Sequence, residues 1–354
     1  MKVVKSHSHL SYKQTSLLKG IAITCIVLHN FYRNVPPHFG ENEFWINKSY
    51  LTDWLQYIQN TPLNFLIAFF SFLGHYGVSA FILISGYGLT LSYKNKELNY
   101  FSFLKKRILK IYPTFLLAVL TWVLCVLFTT DNINYTELIK EVFYKLTFFS
   151  VFSEKYFFAL RGPWWFFGLI VQLYIAFPLI ISTLKNKKKY IFILLLLSCI
   201  TYRFVVGGGL LFYGNLAYAL PTFMIGCYIG FKESIKLPKF TGLISLILLL
   251  WAQGNSNIWS FGPIFAGLAF LSLTIYLNEQ HYTLKWLTKI GEFSFHLFVF
   301  HSVIRPIFIK WAIDLNSDIY TNMIGYLFFF CSVMTSYLFL ALDNKIRILS
   351  KLKA

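Results

Sequence analysis

Acidic residues are scarce in this chain. Of 354 residues only 14 are Asp or Glu, against 32 Lys or Arg, and charged residues of both signs make up 13%. Soluble domains carry about 25%, so the composition excludes an ordinary water-soluble globule. Cysteine is sparse too. Cys25, Cys125, Cys199, Cys227 and Cys331 stand singly inside apolar runs, which gives neither a disulfide framework nor a thiolate metal site. The marks of soluble catalysis are missing: there is no GxSxG elbow, no HExxH helix and no P-loop. No small-residue cleavage site follows the first apolar run, so the basic start "MKVVKSHSHLSYKQ" is not expected to be a removable signal.

What is abundant is apolar. Hydrophobic residues make up 57%, with 39 Phe and 23 Tyr. Long apolar runs predict about ten membrane spans, near 16–34, 64–92, 111–129, 164–184, 190–206, 209–231, 240–254, 258–277, 290–311 and 320–342. The expected fold is all-α, a polytopic transmembrane helix bundle forming one membrane-embedded domain over 1–354. The second run is long and holds "LGHYG" at 73–77, which predicts two helical pieces or a tilted helix. With the N-terminus inside, 23 of the 32 basic residues fall on the cytoplasmic side. That asymmetry predicts both termini to be cytoplasmic, and it accounts for the net charge of +18 without nucleic acid as a partner. Two outer loops, 35–63 and 130–163, are long enough to serve as lids or binding segments.

Ionisable side chains inside such spans are costly and point to function. The stretch "SLLKGIAITCIVLHN", 16–30, carries Lys19 near one end and His29 followed by Asn30 at the other. His29 lies roughly 15 Å beyond Lys19 at about 1.5 Å per residue. His75 and His301 come from the second and ninth runs to a broadly similar depth. In "IGEFSFHLFVFHSVIRPIFIK", Ser294, His301 and Arg305 are spaced by seven and four and share one helical face, while His296 lies off it. Each histidine also admits a plainer role, a hydrogen bond to a neighbouring helix, and Arg305 can snorkel to the headgroups.

Basic clusters offer a second site. "KKRILKIYP", 105–113, and "KNKKK", 185–189, occur at cytoplasmic helix ends. Topology and anionic-lipid contact explain the second cluster. Arg107 and Lys110, three apart at a span's start, equally suit the phosphates of a nucleotide-containing donor. In "RGPWWFFGLIVQLYIAFP", 161–178, Trp164 and Trp165 suit an interfacial belt. Gln172 and Tyr174 are deeper and need partners inside the bundle.

In order along the chain these segments resemble acyltransferase family 3, integral-membrane enzymes that O-acylate bacterial surface polysaccharides and other envelope glycans. "LLKGIAITCIVLHNF" resembles the family's first helix, a basic residue followed about ten positions later by histidine. "GHYGVSAFILISGYGLTLSY" is similar to its "GVxxFFxxSGF" helix, and "FLKKRILKIYPTFLL" to its "RRxxRIxPxY" entrance. "WWFFGLIVQLYIAFPLI" and "GEFSFHLFVFHSVI" resemble its "WFxxxLxxxYxxxPL" and "SFxxYLxHxxx" helices. Lys19 and Lys110 stand where many members have arginine. Many members also carry a glutamate before "FYxxFP"; here "LIVQLYIAFP" has no carboxylate, so a glutamate–histidine pairing at that place does not carry over. The appended soluble hydrolase-like domain of some relatives is missing as well.

The resemblance implies a membrane O-acyltransferase of the bacterial inner membrane, with acyl-CoA, most simply acetyl-CoA, as donor substrate. No bound cofactor and no metal are expected. The acceptor would be a hydroxyl of an envelope glycan or its lipid-linked precursor, with polysaccharide-assembly proteins as further candidate partners beside the lipid bilayer. His29 would be the base, since desolvation keeps an imidazole neutral. Lys19, Arg107 and Lys110 would meet the donor, and His301, Ser294, Gln172 and His75 are candidates for catalytic support. A transporter with histidines along its path is the alternative, although no internal repeat of the kind many carriers show is visible. An inactive or sensory membrane module is a third reading.

Overall fold

The first apolar run becomes a helix with a defined start. Ser11 caps it by accepting from the Gln14 backbone N–H at 3.2 Å, and the Gln14 side chain accepts in turn from the Ser11 N–H at 2.7 Å. A computed structural model of the chain describes residues 9–37, 40–186, 209–235, 237–280 and 284–352. Its helices are α1 (Tyr12–Tyr32), α2 (Lys48–Asn60), α3 (Phe65–Leu73), α4 (Gly77–Tyr93), α5 (Tyr100–Thr129), α6 (Tyr135–Leu146) and α7 (Trp165–Asn186). There follow α8 (Gly209–Tyr213), α9 (Leu216–Phe231), α10 (Thr241–Gln253), α11 (Gly262–Glu279), α12 (Lys285–Glu292), α13 (Ser294–Leu315) and α14 (Asp318–Leu352). No β-strand occurs among the described residues.

Among the described residues eight helical segments are long and apolar enough to cross a membrane, and α10 adds a shorter apolar helix of 13 residues. The expected span at 190–206 lies outside the described residues. The chain is thus a multi-pass all-α membrane protein with a span number compatible with ten. The long second run is broken at "LGHYG" as its glycines predict: α3 ends at Leu73, Gly74–Tyr76 form one 3₁₀ turn, and α4 starts at Gly77. The expected ninth span is likewise divided at Phe293, between α12 and α13.

α1 is the central element, packed against α3, α4, α12 and α13. At its crossing with α12 the two backbones nearly touch. A Cβ added at Gly291 would lie 1.7 Å from the Ser16 carbonyl oxygen, and one at Gly20 would lie 1.9 Å from that of Leu287. Small residues at helix crossings are how membrane bundles gain close packing without a hydrophobic driving force. By contrast α5 leaves Leu120, Leu124, Leu127 and Phe128 exposed, and α14 leaves Ile319, Met323, Phe330 and Leu338 exposed, which suits faces turned to lipid.

Trp164 and Trp165 depart from the interfacial belt that their position predicts. Both are buried, and the Trp164 indole donates to the Val299 carbonyl on α13 at 3.0 Å. An indole N–H that meets a backbone acceptor can leave the interface for the core.

Candidate active site

Two cavities approach each other inside the bundle. The larger, of about 850 Å³, lies toward the start of α1 and is lined by Lys19, Arg107, Lys110, Ser294 and His296 among others. The smaller, of about 340 Å³, lies toward the end of α1 and is lined by His29, Arg33, Glu43, His75, Arg161 and Arg305. Ile26, Val78, Phe166 and Phe298 line both, so four apolar side chains form the wall between them.

His29 stands in the smaller cavity, only 1% exposed. Its Nδ1 is 3.0 Å from the Phe70 carbonyl oxygen. A carbonyl can only accept, so Nδ1 carries a proton and the acid–base chemistry of the ring falls to Nε2. That nitrogen faces Glu43 Oε2 at 3.5 Å and Arg33 Nη1 at 3.4 Å. His75 lies alongside, its ring centroid 5.3 Å from that of His29. The approach depends on Gly74, where a Cβ would fall 2.7 Å from both the Cys25 carbonyl oxygen and the His29 Cβ. The two ring nitrogens of His75 have no hydrogen-bond partner among the described residues.

Glu43 is the carboxylate that the helix motifs do not supply. It comes from the loop after α1, in "GENEFW", and Asn42 fixes it there. The Asn42 amide donates to the Gln253 carbonyl at 3.0 Å, the Trp259 indole donates to the Asn42 carbonyl at 2.9 Å, and the Asn47 N–H donates to Asn42 Oδ1 at 2.8 Å. Next to it Phe44 enters an aromatic cluster with Tyr213 at 4.7 Å and Phe158 at 5.3 Å. Between these two anchors the Glu43 side chain can only point inward. Arg33 pairs with it, and with Glu41 at 2.5 Å. Burial alone would raise the Glu43 carboxyl, but Arg33 and His29 outweigh it and hold it at about 2.

His29, Glu41 and Glu43 bring ligating atoms within 4.8 Å of one another, a spacing that a cation could bridge. The Arg33 guanidinium already contacts both carboxylates, so a side chain supplies the compensating charge at that point.

Asn30 has a separate task. Its side-chain oxygen accepts from Arg305 Nη1 at 3.1 Å, and its amide donates back to the Ile26 carbonyl at 2.9 Å. Arg305 therefore turns into the bundle instead of snorkelling. Arg161 faces the same cavity with its guanidinium 4.4 Å over the Trp122 ring, and burial pushes it down to about 10. The segment before it rests on Lys145 of α6, whose ammonium donates to the Phe157 carbonyl at 2.6 Å. Burial pushes Lys145 down to about 7, with Glu141 opposing.

Lys19 from α1 and Arg107 and Lys110 from α5 all line the larger cavity. Arg107 is steadied against the rings of Tyr93 at 5.6 Å and Phe103 at 5.5 Å. His296 pairs with Asp343 of α14 at 3.3 Å, and the Thr114 hydroxyl donates to the same carboxylate at 3.0 Å. Of the α13 residues expected on one face, Ser294 lines the larger cavity and Arg305 the smaller, while His301 lines neither. Three candidates are not brought to His29, and Ser294, in the larger cavity, is the first of them. His301 is fully buried with Nδ1 3.0 Å from the Leu297 carbonyl. Gln172 donates to the Gly214 carbonyl at 2.9 Å and accepts from the Leu216 N–H at 3.0 Å, an amide committed to anchoring the start of α9.

The sequence motifs alone miss Arg33, Glu41, Glu43 and Arg161. A signal for the glutamates exists: in a chain with 14 acidic residues, two of them fall within "GENEF".

A basic cavity and a histidine cavity thus meet across a thin wall within the helix bundle. The family model described as Acyltransferase domain, acyltransferase family 3, matches residues 15–342. The chain belongs to that family and is an integral-membrane acyltransferase. No match was found among curated proteins or among solved structures.

Proposed function

We propose that the chain transfers an acyl group, acetyl in the simplest case, from acyl-CoA to a hydroxyl of an envelope glycan or its lipid-linked precursor. The observation that carries this reading is the position of His29 Nε2, 3.5 Å from the Glu43 carboxylate beside the wall shared by the two cavities. The larger cavity, opening to the cytoplasm, holds the donor. Lys19, Arg107 and Lys110 meet the CoA phosphates, and the thioester reaches the wall at Ile26, Val78, Phe166 and Phe298. The acceptor hydroxyl enters the smaller cavity. His29 Nε2 takes its proton as the oxygen attacks the thioester carbon, the C–S bond breaks, and the CoA thiolate leaves with that proton. Glu43 stabilises the imidazolium formed in between.

Purified chain in liposomes, given acetyl-CoA labelled in the acetyl group and glycan acceptors, tests the reaction. Label in the glycan supports it, whereas solute flux with no label transferred points to a carrier. Arg107→Ala should raise the donor KM by about tenfold at little change in kcat, the loss of a charge-assisted contact. Unchanged donor dependence removes Arg107 from the donor site.

Glu43→Gln should lower kcat by about a hundredfold while leaving the donor KM in place. The pH dependence has a defined sign. A carboxyl depressed to about 2 contributes its full stabilisation above about pH 4.5 and loses it as the pH falls toward 2. Its charge is therefore constant from about pH 5 to 9, and the deficit of the variant should be uniform across that range. A deficit confined to one limb of the pH–rate profile would show that Glu43 acts by titrating.

A further inference from the structure

The smaller cavity carries more positive charge than its carboxylates account for. Three guanidinium groups line it, and only Arg33 is paired with acids, Glu41 and Glu43. Among the described residues, no carboxylate lies within salt-bridge distance of Arg161 or Arg305. What holds them is neutral: the Trp122 ring beneath Arg161, and Asn30 Oδ1 and the Asn30 carbonyl for Arg305 at 3.1 and 3.3 Å. The Nε of each is buried with no hydrogen-bond partner among the described residues. Leaving such groups unsatisfied is costly, and a planar guanidinium fork matches the oxygens of a carboxylate or phosphate.

We propose that Arg161 and Arg305 form an anion subsite beside His29 that binds a carboxylate or phosphate borne by the acceptor, so that the preferred acceptor is an acidic sugar. The acceptor half of this statement rests on the acyl-transfer reading; the anion subsite does not. At about 340 Å³ the cavity takes one sugar unit rather than a long glycan. The subsite would orient that unit by its acid group, with the hydroxyl to be acylated presented to His29 Nε2 and Trp165 flanking the sugar. Arg33 cannot serve in its place, because its charge is already spent on the two glutamates.

The full chain in nanodiscs of zwitterionic lipid, titrated with D-glucuronate, glucose 6-phosphate and neutral methyl glucoside, tests this by calorimetry. One or both acidic sugars should bind at least about tenfold more tightly than the glucoside. Arg161→Gln and Arg305→Gln should each remove most of that preference, and Arg305→Lys should restore part of it, which separates charge recognition from a folding defect. Equal binding of acidic and neutral sugars by the wild type overturns the subsite, as does an unchanged preference in both glutamine variants. Loss of the preference in phosphatidylglycerol nanodiscs assigns the arginines to lipid headgroups and overturns the sugar assignment. Labelled acetyl-CoA separates the two claims. Arginine-dependent glucuronate binding with no acyl transfer keeps the subsite and sinks the acyltransfer reading. Transfer to neutral and acidic sugars alike, with equal losses in the variants, does the reverse.

Discussion

His29→Gln is expected to lower acyl transfer by about 10³-fold or more, the scale set by removing a positioned base. Glutamine keeps a polar group near the Phe70 carbonyl but has no lone pair able to accept a proton at neutral pH. The variant should still insert, and its binding of acyl-CoA in the larger cavity should be unchanged, because Lys19, Arg107 and Lys110 are about ten residues or more from the change. Label transfer in proteoliposomes, read beside donor binding, checks both halves. Wild-type transfer by the glutamine variant would end the assignment of His29 as base. A second measurement asks whether the ring is acylated on the way. Wild-type chain given labelled acetyl-CoA without acceptor should remain unlabelled if the hydroxyl attacks directly, whereas rapidly trapped, hydroxylamine-labile label that is absent from His29→Gln would instead mark an acyl-histidine.

The largest effect on stability is expected at the crossing of α1 and α12. Gly291→Val places a branched side chain where even a Cβ would sit 1.7 Å from the Ser16 carbonyl oxygen. The obstacle is backbone on a central helix, so neither partner can yield by a rotamer change. Overpacking of this kind costs at least about 3 kcal/mol. The expected result is a sharp fall in yield and in the unfolding temperature of the detergent-solubilised protein. Gly88→Ala is the matched control: an added Cβ there meets nothing within 4 Å. Replacing a helical glycine with alanine gains about 1 kcal/mol, so that variant should be as stable as the wild type or more so. Equal stability of the two variants would mean that α1 and α12 do not approach as described.

Those two changes also mark what the sequence could and could not convey. Local patterns carried the helices: the apolar run of α1, the break at Gly74–Tyr76, and the basic residues that open α5. Arg107 and Lys110 were legible as a basic pair at a helix start, while Lys19, which lines the same cavity, was singled out only through the family resemblance. Glu43 is different in kind. Its position beside His29 is fixed by the hydrogen bond Asn42 donates to the Gln253 carbonyl and the one its own carbonyl accepts from Trp259, more than two hundred residues away, and no period or spacing reports such a contact. Gln172 erred in the other direction. A deep amide announces that it needs partners, but not whether they are substrate or the backbone of Gly214 and Leu216. The tilt of Trp164 into the core was hidden for the same reason, its acceptor being a carbonyl on α13.

The wall between the two cavities has a bearing on the electrical life of the membrane. A catalyst reaching through a bilayer risks opening a file of water along which protons run down their gradient. Each elementary charge crossing 100 mV dissipates about 2.3 kcal/mol. Ile26, Val78, Phe166 and Phe298 offer such a file no hydrogen-bonding side-chain atom, so the apolar wall that divides the two cavities is also a barrier to a continuous proton wire. On the proposed reading the acyl group is handed over at that one point, while ions find no side-chain conductor through the wall.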